Sequence, residues 1–259
     1  MVDEVVLITG IDIPFPPAEI TIHQPTIEEI AYIGEDAFFN GIHMLQFNKD
    51  MLAIENIAPL EKMSDFQILL SLLQNKKDPA SQIQKVNIEM VLTLMFPEYK
   101  VLIMPNMIAF TAEGENHIIN EENFDEFKKV LKVMYGMGGQ AQGEIEYNPA
   151  NPAARAIVDK IKRGREKVKE IKNQNSEGQS ESILSRYISI LAVGEQKDIN
   201  SFKKYTVFQL FDEFNRFSLK QQFDQNLSFR LAGAQDLPQP EDGTSQKVYR
   251  RLSYLLYHP

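Results

Sequence analysis

The chain has 259 residues, of which 43% are hydrophobic and 24% charged, with a net charge of −9 and no cysteine. This composition is typical of a soluble globular protein with room for two modest domains. Without cysteine there are no disulfides, thiolate metal sites or cysteine nucleophiles, which fits a reducing compartment, and no apolar run approaches the roughly 18 residues of a membrane span.

The N-terminal residues predict two short strands, because β-branched residues are frequent in them. The strands cover residues 5–9 and 20–23, and the prolines between 14 and 17 predict an extended link that separates them.

Two helix starts follow, each marked by Ser or Thr with Glu or Gln three residues later, which is the pattern of a capping box. Thr26 with Glu29 opens the first helix, and Ser64 with Gln67 opens the second. The predicted buried residues are Ile27, Ile30, Phe38 and Ile42 after the first start, and Phe66, Leu69, Leu70 and Leu73 after the second.

A third helix is predicted from Asp78-Pro79 to the residue before Pro97, since Pro suits a first helical turn and ends a helix further along. Its predicted buried residues are Ile83, Val86, Met90, Val91 and Leu94. A hairpin over 99–111, a strand at 117–119 and a helix capped by Asn120 complete the first half. This half is therefore predicted to be an α+β domain with a small antiparallel sheet.

Glycine content and charge both predict a domain boundary near the middle of the chain. Residues 1–147 contain 23 Asp and Glu against 9 Lys and Arg, whereas the remainder contains 13 against 18. Glycines cluster between 136 and 143, which favours a linker at about 136–147. We therefore expect an acidic α+β domain at 1–140 and a helical domain at 148–259, so that the protein is mainly α.

The second domain is predicted to begin with a basic amphipathic helix. Asn151 can cap it, Pro152 suits its first turn, and Gly164 lies on its apolar stripe, where a close helix crossing would explain the glycine. Eight Lys or Arg lie between residues 153 and 172. These cations are typical of a solvated helix face, and the absence of stacking aromatics among them argues against a nucleic-acid partner.

The last helical segment is predicted to run from a capping box at Thr206 and Gln209 to Leu231. Its apolar face changes side at Ser218: Leu219, Phe223 and Leu227 follow a four-residue spacing on nearly the opposite side from the preceding apolar residues. Either the helix breaks there, or one helix is covered on two sides. The second face predicts either a further part of the core or a protein-binding site, for a partner or for an identical subunit.

The sequence offers no recognisable catalytic or metal-binding motif. The four histidines stand apart from one another, without the i, i+3 or i, i+4 spacing of metal ligands, and no Gly-x-Ser-x-Gly elbow is present. Paired carboxylates such as Glu28-Glu29 are typical of helix starts. We expect no catalytic residue, no cofactor and no metal, and hence a protein that is not an enzyme.

Several stretches together resemble a family of tail proteins from phages that infect Gram-positive bacteria. The resemblance covers about residues 20–240, and its most specific parts are the Asn-Pro-rich helix start at 147–172 and the end at Arg230–Gly233. The other stretches are 22–39, 94–103, 117–131, 182–194 and 206–229.

The chain is similar to tail assembly chaperones, or to proteins that take their place beside the tape measure gene. The resemblance implies a non-enzymatic protein of the host cytoplasm that binds the tape measure protein during tail morphogenesis. A structural component of the tail or baseplate, retained in the virion, is the alternative, and an enzyme or nucleic-acid binder of phage metabolism is a third. The residues after 240 fit either an ordinary C-terminal helix or a frameshifted extension.

Overall fold

The computed structural model describes residues 2–49, 63–75, 77–112, 114–135 and 182–231, with the side chains of the last helix described as far as Asp224. It confirms the predicted fold class. The described residues are mainly helical, and two small antiparallel sheets lie in the N-terminal half. The linker predicted at 136–147 and the basic helix predicted at 151–172, with Gly164, lie outside the described residues.

The first element is a helix, α1 (Glu4–Thr9), so the strand predicted over residues 5–9 is wrong. The side chain of Asp3 accepts a hydrogen bond from the N–H of Val5 and thereby caps the helix. Gly10 ends it in the left-handed conformation, with φ of 70°. These two end signals outweigh the strand preference of the β-branched residues between them.

The second predicted strand is confirmed as part of a small hairpin. Strand β1 (Ile13–Phe15) pairs antiparallel with β2 (Ile20–Ile22), and a 3₁₀ turn at Pro16–Ala18 joins them. Pro14 lies in β1, and Pro16 and Pro17 lie in the turn, so this segment is not the simple extended link that was predicted. Both strands alternate buried and exposed residues, so one face of the hairpin packs on the core.

Two helices follow where the sequence predicted one. Helix α2 (Ile27–Ile33) begins with the predicted capping box of Thr26 and Glu29. It ends at Gly34, whose φ of 91° interrupts the helix before α3 (Glu35–Leu45) begins. The predicted apolar residues of this segment are all buried: Ile27, Ile30, Phe38 and Ile42.

Helix α4 (Asp65–Leu73) begins with the predicted capping box of Ser64 and Gln67. Helix α5 (Pro79–Met95) begins as predicted, with Asp78 as its cap. Its predicted buried face is largely wrong. Of the five residues expected inside, only Val91 is buried, whereas Ile83 is 61% exposed. The other buried residues of α5 are Ser81, Asn87, Ile88, Leu92 and Met95.

The buried face of α5 is set by its contact with α3. A Cβ atom placed on Gly41 of α3 would lie 2.6 Å from Cγ2 of Val91 and 2.7 Å from the carbonyl oxygen of Asn87. The two helix backbones approach each other at this glycine, which the sequence analysis did not single out. The approach decides which side of α5 faces inward.

A three-stranded antiparallel sheet follows, in the order β3 (Lys100–Ile103), β4 (Ile108–Ala112) and β5 (Glu115–Ile119). This confirms the predicted hairpin and its third strand. Helix α6 (Phe124–Tyr135) comes next, and its apolar residues Phe124, Phe127, Leu131 and Met134 are buried.

The described C-terminal part contains α7 (Ile183–Glu195), a 3₁₀ helix at Ile199–Lys204 and α8 (Val207–Leu231). Helix α7 continues one residue past Gly194, and Gln196 takes the left-handed position at its end. Helix α8 has no break at Ser218, so of the two alternatives for this segment the broken helix is excluded.

One hydrophobic core joins the two halves of the chain. Leu184, Leu191, Phe202 and Leu210 belong to the same buried cluster as the core residues of the N-terminal half. The described C-terminal helices therefore pack on the N-terminal part. The division into domains at 1–140 and 148–259 stays a prediction.

Candidate protein-binding surface

The start of α8 is fastened to the start of α2. Thr206 and Gln209 form the predicted capping box: the N–H of Thr206 donates to Oε1 of Gln209 at 2.8 Å, and the N–H of Gln209 donates to Oγ1 of Thr206 at 3.2 Å. Thr26 and Thr206, the capping residues of α2 and α8, form an isolated antiparallel bridge. The N–H of Ile27 donates to the carbonyl of Tyr205 at 2.8 Å. Two helix N-termini are thus held side by side.

A second contact fastens α8 to α1. The amide Nε2 of Gln209 donates to the carbonyl of Ile8 at 2.7 Å. A Cβ atom at Gly10 would lie 3.2 Å from this amide nitrogen and 3.4 Å from Cγ2 of Thr206. The end of α1 therefore lies directly on the first turn of α8.

The first half of α8 packs on the core and on α7. Val207 and Leu210 are fully buried. The ring of Tyr187, on α7, stacks on Phe214 with centroids 4.0 Å apart and makes an edge contact with Phe211 at 4.8 Å. A Cβ atom on Gly194 would lie 2.3 Å from the ring of Phe217, so this glycine leaves space for that ring.

Polar groups secure the same contact at its edge. The ammonium group of Lys197 lies 2.8 Å from a carboxylate oxygen of Glu195 and also pairs with Glu213 on α8. Burial alone would raise the pKa of Glu213, but its side-chain hydrogen bonds and the charge of Lys197 together outweigh burial and hold this pKa below its ordinary value. The charged pair therefore favours the seated position of α8.

The second half of α8 carries the three residues predicted to bind a partner. Phe223 is 44% exposed, and Leu219, one turn before it, is half-buried. Leu227 lies in the same helix, but its side chain is outside the described ones. Their four-residue spacing places the three on one side of a continuous helix. An aromatic ring with so much exposed area is suited to contact with another protein.

Helix α7 also carries exposed apolar residues. Val193 is 82% exposed and Ile190 is 38% exposed, while Leu191 and Ala192 between them are buried. Helical spacing alone does not separate these residues, because every position from Ile190 to Val193 is apolar. Helices α7 and α8 thus both carry apolar side chains that are exposed to solvent.

The described residues contain no group of three or more His, Asp or Glu placed to hold a metal ion. Among these same residues, no helix combines the length and the apolar character needed to cross a membrane. His23 and His117 each contact carboxylates, and His43 is exposed on α3.

Comparison with known proteins relates the C-terminal part to phages. Residues 173–241 match the model of a protein family described as the YomV second domain, which is a family of Bacillus phage type. The match includes α7 and α8. Comparisons with curated proteins and with solved structures found no match.

Proposed function

We propose that this protein is a non-enzymatic phage tail assembly protein that binds the tape measure protein during tail morphogenesis in the host cytoplasm. The proposal is supported by the similarity of residues 173–241 to a domain of phage type and by the resemblance of the longer sequence to tail assembly chaperones. The geometry contributes a surface suited to binding, which is the distal half of α8.

The observation that carries the proposal is the exposure of Phe223 on a helix whose first turn is held firmly by the rest of the protein. The proximal half is fixed by its capping box, by Gln209 and by the buried Leu210. The distal half continues the same helix, and Phe223 is 44% exposed there. A helix of 25 residues is about 37 Å long. Because its first turn is fixed on the core, the helix holds Leu219, Phe223 and Leu227 in a defined orientation.

A long helical protein is a suitable partner for such an edge. Tape measure proteins are expected to offer apolar stripes along helices, and one helix can pack on another through residues spaced by three or four. Leu219, Phe223 and Leu227 have this spacing. Such apolar residues would cover the apolar stripe of the partner helix and keep it from water until this protein is displaced.

The test follows the protein through infection by quantitative mass spectrometry. A chaperone copurifies with the tape measure protein before tails are complete and is absent from purified virions. A fixed number of copies in each virion would show a structural component of the tail or baseplate instead. Failure to copurify with the tape measure protein at any stage would contradict the proposal.

A further inference from the structure

His23 lies at the junction of the N-terminal elements, with a carboxylate at each of its ring nitrogens. Nδ1 is 2.9 Å from Oδ1 of Asp12, which lies between α1 and β1. Nε2 is 3.3 Å from Oε2 of Glu29 on α2. A neutral imidazole has only one N–H, so it can donate to one of these carboxylates and must turn a lone pair toward the other. Both contacts are favourable only when His23 is protonated.

The same carboxylate of Glu29 belongs to the capping box of α2. Its Oε2 accepts from the N–H of Thr26 at 2.7 Å and from the hydroxyl of Thr26 at 2.8 Å. Protonated His23 therefore connects Asp12 to the first turn of α2 through one shared carboxylate. The backbone N–H of His23 donates to the carbonyl of Met95 at 2.9 Å, which fixes its main chain on the end of α5.

Residues 4–12, which comprise α1 and the loop with Asp12, are held to the rest of the described structure by a small number of other side-chain hydrogen bonds. The buried amide of Gln24 donates to the carbonyls of Val6 and Ile11 at 3.1 and 2.6 Å. Gln209 donates to the carbonyl of Ile8. On the outer side of this segment, Val5 and Ile11 are about 60% exposed. His23 and the two glutamines thus hold α1 in place.

We propose that His23 is a pH-sensitive clamp: its protonated ring fastens α1 and Asp12 to the start of α2, and its deprotonation loosens α1 from α2 and from the first turn of α8. The charged groups that face the ring are Asp12, next to α1, and Glu29 on α2. Helix α5 contributes the carbonyl of Met95, which bonds the backbone of His23, and Tyr135 of α6 is buried close enough to Glu29 for that charge to act on its hydroxyl.

The titration behaviour agrees with the geometry. Burial alone would lower the pKa of His23, but its hydrogen bonds and charge interactions with Asp12 and Glu29 outweigh burial and raise it. A group whose pKa is raised on folding contributes its full stability below the ordinary pKa of about 6.5. That contribution is lost as the pH rises through the folded-state value.

The clamp also opens at low pH. Burial alone would raise the pKa of Glu29, but the hydrogen bonds from Thr26 and His23 outweigh it and hold this pKa below its ordinary value. Protonation of Glu29 removes its charge as the pH falls through that lowered value. The clamp is therefore closed at pH values between the pKa of Glu29 and the pKa of His23.

The test combines an NMR titration of the intact chain with amide hydrogen exchange. The pKa of His23 is expected above 6.5, and the amides of Leu7 and Ile11 are expected to open at least tenfold more often above that pKa, after correction for intrinsic exchange. The opening of core amides on α5 should not change. His23→Gln should abolish the pH dependence in α1, whereas His43→Gln, at an exposed position, should preserve it.

Three results would overturn the proposal: a His23 pKa at or below 6.5, opening of α1 that does not follow the His23 titration, or the same pH dependence in His23→Gln. If His23→Gln does not fold, the titration and exchange of the unmodified chain still decide, because they need no substitution.

Discussion

The carboxylate of Glu35, at the first position of α3, caps a helix that begins after Ser182, 147 residues further along the chain. It accepts from the hydroxyl of Ser182 and from the N–H groups of Ile183 and Leu184, at 2.7 and 3.2 Å. These N–H groups belong to the first turn of α7, where an anion also interacts favourably with the helix dipole. One side chain thus joins the N-terminal part to the unit that resembles the phage domain.

Glu35→Gln is expected to lower the free energy of unfolding by about 1 kcal/mol, because the amide loses the charge and one of the acceptor oxygens of this cap. Urea denaturation followed by circular dichroism measures the loss. Glu28→Gln is the matched control, since Glu28 is an exposed carboxylate in the first turn of α2. Equal losses in the two variants would show that the contact with α7 contributes nothing.

Gly41→Ala is expected to destabilise the protein by about 1–3 kcal/mol, although Ala is a better helix former by about 1 kcal/mol. The reason is the backbone of Asn87, whose carbonyl oxygen would lie 2.7 Å from the added carbon. Asn40→Ala, at the exposed neighbouring position, should leave stability unchanged or raise it slightly. Thermal melting compares the two. A stabilised Gly41→Ala variant would contradict the close approach of α3 and α5.

Asp65 on α4 is expected to contribute stability that depends on pH. Burial alone would raise the pKa of this carboxyl, but its hydrogen bonds with Lys128 and with the N–H of Lys49 outweigh burial and lower it. Its contribution is therefore complete above the ordinary pKa of about 3.9 and is lost as the pH falls through the lower folded-state value.

Asp65→Asn should then cost about 1–2 kcal/mol at pH 7, and the difference from the unmodified protein should shrink toward pH 3. Asp125→Asn is the matched control. Asp125 contacts the same Lys128 at the same distance of 2.8 Å, but its side chain is 76% exposed against 19% for Asp65. Urea denaturation at several pH values gives the comparison. A pH-independent loss in Asp65→Asn would contradict the ion pair as its cause.

Limited proteolysis tests the predicted division of the chain. Cleavage is expected within residues 136–147, where glycines are concentrated, to give two resistant fragments. Because α7 and α8 share a core with the N-terminal half, these fragments should elute together in size-exclusion chromatography and separate only in denaturant. A single protected fragment spanning 136–147 would contradict the linker, and separate elution would contradict the shared core.

Local signals were enough to predict most helix starts. The capping boxes at Thr26, Ser64 and Thr206 each depend on residues three positions apart, so the sequence contains all the necessary information. The strand predicted over 5–9 is wrong because Asp3 caps a helix there and Gly10 ends it, whereas composition alone favours a strand. Both of these end signals are also local in the sequence.

Contacts between residues far apart in the chain could not be predicted from the sequence. Helix α5 has apolar residues on more than one side, so their spacing did not reveal that Ile88 faces inward and Ile83 outward. That choice depends on the approach of Gly41 from another helix. The cap of Glu35 on α7 and the amide of Asn123, which donates to the carbonyl of Pro17, likewise join residues about a hundred or more positions apart. For the candidate site, the sequence left open whether the helix breaks at Ser218, and the assignment of Leu219, Phe223 and Leu227 to binding stays a prediction. The contacts that hold the first turn of α8 could not be predicted from the sequence.

The most direct test of the central claim measures the affinity of the purified protein for the tape measure protein. The double variant Phe223→Ala and Leu227→Ala should weaken binding at least about thirtyfold, the effect of losing 2 kcal/mol, while its melting temperature stays close to that of the unmodified chain. Lys220→Ala, at an exposed position of the same helix, should bind normally. Unchanged affinity in the double variant, or a loss of its fold, would contradict the assignment of this helix face to binding.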